Sequence, residues 1–300
     1  MNPVTKRGIF DMTLAMVMSG TIGWFVLQSG QSPYNVVFFR CLIGAPVLAL
    51  LCLHLKVFSR SGLDAKRILI AAGGGVALVM NWLLLFSAYP LASISVTTIV
   101  YNFQPFMLVG LGALFLGERV SGAKLGWMGL AFAGMLAMTV SGTSLSGHAG
   151  QGYLTGILLA LAAAFCYAVA AFVTRRLRGT SPYVIALIQV LTGIVILAPF
   201  ADFNALPSSP QSWAMVATIG VVHTGVMYAF LYSAIQKLPV MLTGTLSFLY
   251  PVVAILVDIL AYGHVLTPGQ ALGGAAILLA AVGTTLNLTP RHLLPGTRKA

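Results

Sequence analysis

The sequence predicts an all-α integral membrane protein, with ten transmembrane helices arranged as two inverted five-helix repeats and both termini on the cytoplasmic side. Three observations carry that reading. Only 7% of the 300 residues are charged and 59% are hydrophobic, with a mean hydropathy of +0.96, whereas a soluble domain carries roughly 25% charge. Apolar runs long enough to cross a bilayer recur along the whole chain. Lys and Arg gather in every second connection.

Runs of about 18 to 25 apolar residues bounded by charge, Gly or Pro fall at 9–28, 35–55, 68–88, 92–116 and 122–140, then at 153–174, 182–201, 213–234, 240–261 and 270–288. The first follows Lys6 and Arg7 as a signal peptide would. It is too long for one and lacks a small-x-small cleavage site, so it reads as a retained helix. The second opens after Ser32-Pro33 and ends before Lys56 and Arg60; the third starts beyond Lys66 and Arg67. The fourth carries Pro105 and stops at Gly117-Glu118-Arg119, and the fifth follows Lys124. In the second half, Arg175, Arg176 and Arg178 close the sixth span, Pro182 opens the seventh and Lys237 closes the eighth. The ninth contains Tyr250-Pro251, and the tenth runs out into a basic tail, 289–300, with Arg291, Arg298 and Lys299. With the N-terminus inside, 15 of the 16 Lys and Arg lie in inside segments and none in outside loops. One helix more or fewer would destroy that alternation. The sixteenth, Arg40, sits within a span.

The halves repeat. Phe86-Ser87-Ala88-Tyr89 matches Tyr232-Ser233-Ala234-Ile235 at an offset of 146, which also carries Pro105 onto Pro251 and Gly117 onto Gly263. Pro33-Tyr34 matches Pro182-Tyr183 at 149, and Gly122-x-x-x-Gly126 matches Gly269-x-x-x-Gly273 at 147. The first repeat covers 8–140 and the second 152–288. Five spans is an odd number, so the second copy enters the membrane in the opposite sense. Two half-structures related by an axis in the membrane plane can open a central site to either side in turn; a duplication that merely built a stable bundle is the plainer alternative.

Several functions are excluded. The pI near 9.9 would suggest nucleic acid in a soluble protein, but the cations sit between spans as orientation signals, so nucleic acid is not an expected partner. Cys41, Cys52 and Cys166 lie inside apolar runs without a CxxC pair and read as packing residues. There is no P-loop, HExxH, GxSxG or pair of mid-membrane aspartates, which argues against ATP hydrolysis and against an intramembrane enzyme. No cofactor or metal is expected.

The chain resembles the ten-helix EamA-type exporters of the drug/metabolite transporter superfamily. Ser32-Pro33 followed by Arg40 is similar to that family's SP-to-Arg pattern, and Pro105 followed by Leu116-Gly117-Glu118-Arg119-Val120 to its P-to-LGER signature. The second half keeps Arg175-Arg176 and Tyr250-Pro251, but Gly263-His264 replaces Gly-Glu and Gln189 stands where Arg40 would repeat. The resemblance covers about 8 to 288. It implies a secondary transporter of the bacterial inner membrane that exports small metabolites by alternating access, most like the exporters of aromatic amino acids. A channel-like facilitator, or export of another metabolite or drug, stays open. Expected partners are the small-molecule substrate and membrane lipid, with the protein a monomer or weak homo-oligomer.

Mid-span polar and aromatic groups are the candidates for such a substrate site. They are Asn81 and Trp82 in the third span and His223, Thr224 and Tyr228 in the eighth, with the offset carrying Trp82 onto Tyr228. Such a pair suits an apolar ring; helix packing is the alternative. Trp24 and Tyr167 form a second candidate pair, and Tyr101, Asn102, Gln104 and Tyr250 flank the prolines of the fourth and ninth spans, where a bend can free carbonyls for an ammonium. Three ionisable groups complete the set. Arg40 can snorkel outward, hold a substrate carboxylate or brace a neighbouring helix. Asp258 can pair with Arg40, carry a proton or face solvent. His223, with a reference pKa near about 6.5, can couple protons or sit neutral with one hydrogen bond. Asp11 reads as an anchor to headgroups or to Lys6 and Arg7, and Glu118 with Arg119 as a brace for the connection to the fifth span.

Overall fold

A computed structural model describes residues 2–58, 62–92, 94–142, 152–262 and 267–288. Helices α1 (Pro3–Ser29), α2 (Pro33–His54) and α3 (Ala65–Ala92) are followed by α4 (Ile94–Tyr101), α5 (Gln104–Leu116), α6 (Gly122–Gly142) and α7 (Tyr153–Arg176). Then come α8 (Pro182–Leu197) with a 3-10 turn at Ala198–Phe200, and α9 (Pro210–Gly220), which passes through a π turn at Val221–Val226 into α10 (Met227–Lys237). Helices α11 (Val240–Ser247), α12 (Leu249–Tyr262) and α13 (Pro268–Thr285) end the set. There is no strand among the described residues. Nine helical runs there are long and apolar enough to cross a membrane, and α13, with 18 residues, rises about 27 Å. The protein is thus a multi-pass membrane protein. The expected basic tail and Gly263-His264 lie outside the described residues.

Sequence chemistry sets the helix ends. Ser32 caps α2 by accepting from the Asn35 N–H at 3.3 Å, with Pro33 in the first turn; Ser209 and Pro210 do the same for α9. Thr267 and Gln270 form a reciprocal capping box on α13, which satisfies two otherwise orphaned donors. Gly117 ends α5 in the left-handed region at φ 62°, where a Cβ would be strained.

Three expected spans are interrupted. The fourth is α4 plus α5, broken at Asn102 and Phe103, because Pro105 lacks the N–H that a continuous helix would need. The ninth is α11 plus α12, broken at Phe248 just ahead of Pro251. The eighth carries the π turn, with Thr224 Oγ1 donating to the Ile219 carbonyl at 3.1 Å.

Helices α1 and α12 pack together, as do α3 and α7, α2 and α8, and α6 and α13; α1 also packs on α10, α3 on α8, α5 on α7 and α11, and α2 on the π turn. Gly44 lets α2 approach the eighth span, since a Cβ there would lie 2.6 Å from Thr224 Cγ2. At α6 and α13, Gly269 and Gly273 face the partner helix, whereas a Cβ on Gly122 or Gly126 would meet nothing. Only one of the two GxxxG motifs therefore lies at that contact.

Candidate functional site

Arg40 organises the centre of the protein. It is buried, 4% exposed, and its Nε–H donates to Thr224 Oγ1 at 3.1 Å, while a terminal nitrogen donates to the His223 carbonyl at 3.3 Å. A π turn widens the helix and disturbs its carbonyl ladder, and the guanidinium supplies a donor there. It also lies 4.2 Å above the Trp82 ring and 6.0 Å from that of Tyr228, within cation–π range. The ion pairs among the described residues are Arg7–Asp11, Arg175–Glu118 and Lys237–Asp11, and none includes Arg40. Of the three uses open to Arg40, bracing is the one the contacts display. The side chain of Asp258, on α12, lies outside the described residues, and that helix packs on α1 and α13.

Trp82 and Tyr228 meet edge to face with ring centroids 6.3 Å apart. Tyr228 continues to Tyr232 at 5.3 Å, whose hydroxyl donates to Gln189 Oε1. Gln189 and Tyr232 thus extend the cluster, although neither was among the expected site residues; the signal for Gln189 was its place as the counterpart of Arg40. Asn102 stands at the break of the fourth span and donates from Nδ2 to the Thr98 carbonyl and to the Tyr250 hydroxyl, both at 2.8 Å. It ties the two interrupted spans together. Tyr167 packs edge-on to Tyr101 at 6.3 Å, and Trp24 packs on Phe25 at 4.9 Å. Trp24 and Tyr167 thus make their ring contacts with other residues: Trp24 packs on Phe25 of its own span, which in turn meets His223 of the eighth, while α7 turns Tyr167 toward α4.

His223 is buried, with Nε2 2.8 Å from Thr21 Oγ1. That hydroxyl donates to the Met18 carbonyl, so it accepts from Nε2–H and leaves Nδ1 as the acceptor nitrogen. His223 Nδ1 has no protein partner, and neither do Asn81 Oδ1 and Nδ2, Gln104 Oε1, Gln189 Nε2 or Thr97 Oγ1. Buried polar atoms are nearly always bonded, so these groups, with Ser181 Oγ, carry hydrogen-bonding capacity that helix packing alone leaves unused. Gln104 and Tyr167 line a narrow cleft together with Met12, Leu108, Thr243 and Ser247. It is nearly closed, with a volume of about 10 Å³, room for about one water molecule.

In sequence, the EamA-like transporter family matches residues 6–140 and again residues 154–286. The chain belongs to that family. As an EamA-like transporter it is similar to the uncharacterized transporter YxxF of Bacillus subtilis, at 28% identity over 96% of this chain and 91% of that protein. It is 29% identical to the pseudopaline exporter CntI of Pseudomonas aeruginosa over 72% of this chain and 74% of the other. The threonine/homoserine exporter RhtA of Escherichia coli matches at 27% over 54% of each chain. A crystal structure superposes with a TM-score of 0.83 over 96% of this chain and 99% of that one at 21% identity, which shows a shared fold.

At the end of this EamA-like bundle where the cations gather, the signature residues make contacts that sequence reading assigned only locally. Glu118 pairs with Arg175, whose guanidinium also donates to the carbonyls of Ile235 and Leu238. The second Glu118 oxygen accepts from the Val240 N–H at 3.1 Å. Asp11, 1% exposed, accepts from Lys237 Nζ at 2.6 Å and Ser233 Oγ at 2.8 Å as well as from Arg7. The expectation for Asp11 covered headgroups, Lys6 and Arg7 but not Lys237, which is 226 residues away.

Proposed function

We propose that this transporter exports small metabolites, foremost amino acids with aromatic or other apolar side chains, across the bacterial inner membrane by alternating access. The observation that carries the reading is the buried Trp82–Tyr228 pair, one ring from each half, set against the Arg40 cation. A flat apolar group gains about 0.5 to 1.5 kcal/mol from such rings beyond burial, and a guanidinium favours a carboxylate. The names of the relatives CntI and RhtA, both exporters, support the direction of transport.

The halves act as inverted repeats about an axis between them, with the basic end in the cytoplasm. What supports this is that helix contacts come in exchangeable pairs. The first span packs on the eighth as the sixth does on the third, the second on the eighth as the seventh on the third, and the first on the ninth as the sixth on the fourth. Such a frame can rock around a fixed central site.

A second reading, a cargo of small polar amino acids, is favoured by the match to RhtA. One assay separates them: uptake of labelled phenylalanine or threonine into proteoliposomes preloaded with the same unlabelled amino acid, compared with empty ones, without an ion gradient. Preloading should accelerate phenylalanine uptake. Acceleration of threonine alone would replace the cargo, and uptake without acceleration would make the protein a facilitator. Trp82→Ala or Tyr228→Ala should weaken apparent affinity for phenylalanine about fivefold with unchanged expression; normal transport in both variants would sink the ring-pair reading.

A further inference from the structure

A second cavity lies at the basic end, an open vestibule of about 480 Å³ lined by Thr5, Glu118, Arg175, Arg176, Arg178 and Lys237 among others. The same region of the fold also bounds the central cleft: Met12 of α1, Leu108 of α5, Ala171 of α7 and Ile235 of α10 line the cleft. Thr5, Leu116, Arg175 and Lys237 of those same four helices line the vestibule. Between the two lies one layer of contacts. It consists of Arg175 with Glu118 and the carbonyls of Ile235 and Leu238, beside Asp11 with Lys237 and Ser233. In both pairs the acid belongs to the first half of the chain and the base to the second. Leu238, fully buried, packs beneath α1 at Gly8.

The vestibule also carries surplus charge. Glu118 neutralises Arg175, while Arg176 and Arg178 are exposed beside it, with Arg178 Nε donating to the Gln236 carbonyl. Glu118 is itself 21% exposed, so an arriving anion can reach the Arg175–Glu118 pair from the vestibule side. Guanidinium groups take carboxylates through paired N–H donors, and a cleft of one sign concentrates the opposite charge.

We infer that this vestibule is the loading site of the pathway: it takes the carboxylate of the cargo on Arg175, Arg176 and Arg178, and by displacing Glu118 from Arg175 it opens the ion-pair layer to the central cleft. The inference rests on the exporter reading and names the chemical group by which cargo is admitted. The layer is a gate that joins the two halves when empty. A carboxamide analogue of the cargo lacks the carboxylate that competes for Arg175 and leaves it closed.

The test uses the full chain with Cys41, Cys52 and Cys166 replaced by Ala and Thr243→Cys placed in the cleft, three residues beyond the Val240 N–H that Glu118 holds. A membrane-impermeant maleimide is applied from the basic end in oriented proteoliposomes. Glu118→Gln keeps an acceptor for Val240 but loses the charge, and should raise the labelling rate about tenfold, the scale of one charge-assisted hydrogen bond. Asp11→Asn, which acts on the other pair, should raise it as well. Phenylalanine or threonine should accelerate labelling of the parent about fivefold, the low end of coupling between sites, and phenylalaninamide or threoninamide should not. Labelling of Glu118→Gln no faster than the parent, or acids and amides acting alike, overturns the inference. Absence of exchange for both amino acids in the preloading assay would instead overturn the cargo reading, and the Glu118→Gln rate would then decide the gate alone.

Discussion

At the scale of single residues, Arg40 is held by contacts other than an ion pair among the described residues. Its charge is met by a hydroxyl, a carbonyl and a ring face, each weaker than an ion pair but needing no second desolvated charge. Arg40→Ala removes donors from the His223 carbonyl and Thr224 and should cost about 1.5 to 3 kcal/mol, read as a lower thermal midpoint in detergent. Arg40→Lys keeps the charge but not the planar fork and should recover only part of the loss. An unchanged midpoint in Arg40→Ala would refute the brace. The sequence exposed Arg40, Trp82 and Tyr228 through their rarity within spans and through the repeat offset. It did not expose the Thr21–His223 bond or the Tyr232–Gln189 bond, because Thr21, Tyr232 and Gln189 are ordinary polar residues whose partners sit on distant helices.

At the scale of elements, proline explains part of the irregularity and helix packing the rest. Pro105 and Pro251 flagged the fourth and ninth spans as interruptible. The π turn had no such marker: it carries no proline, and its wide turn is held by Arg40 from another helix. Close helix approach is similarly uneven among glycines. Gly44→Val should overpack against Thr224 and cost about 1 to 3 kcal/mol, while Gly122→Ala, with nothing near its Cβ, should be close to neutral. Midpoints of both variants in the same detergent check this, and equal losses would deny that α2 and the π turn are in tight register. Both glycines look alike in sequence; only the neighbouring helix distinguishes them.

At the scale of the whole molecule, the placement of 16 Lys and Arg sets the expected orientation. Single cysteines at Lys66 and at Asn204, in a background without the native three, should label from opposite sides of intact cells, with Asn204→Cys accessible from outside. Labelling of both from one side would reverse the topology and place the basic vestibule away from the cytoplasm. The repeat pattern and the cation alternation are properties of the linear chain because the bilayer itself acts on them: hydrocarbon selects apolar runs of fixed length and the membrane's asymmetry sorts the cations. The multi-span helical character, the family pattern and the helix-breaking prolines were legible for that reason. Which polar side chain meets which was not. The Glu118–Arg175 and Asp11–Lys237 pairs, the Arg40 brace on the π turn and the ring partners of Trp24 and Tyr167 depend on helix rotation and crossing. Those are decided by the side-chain packing of neighbours far apart in sequence, and only the tertiary structure brings them together.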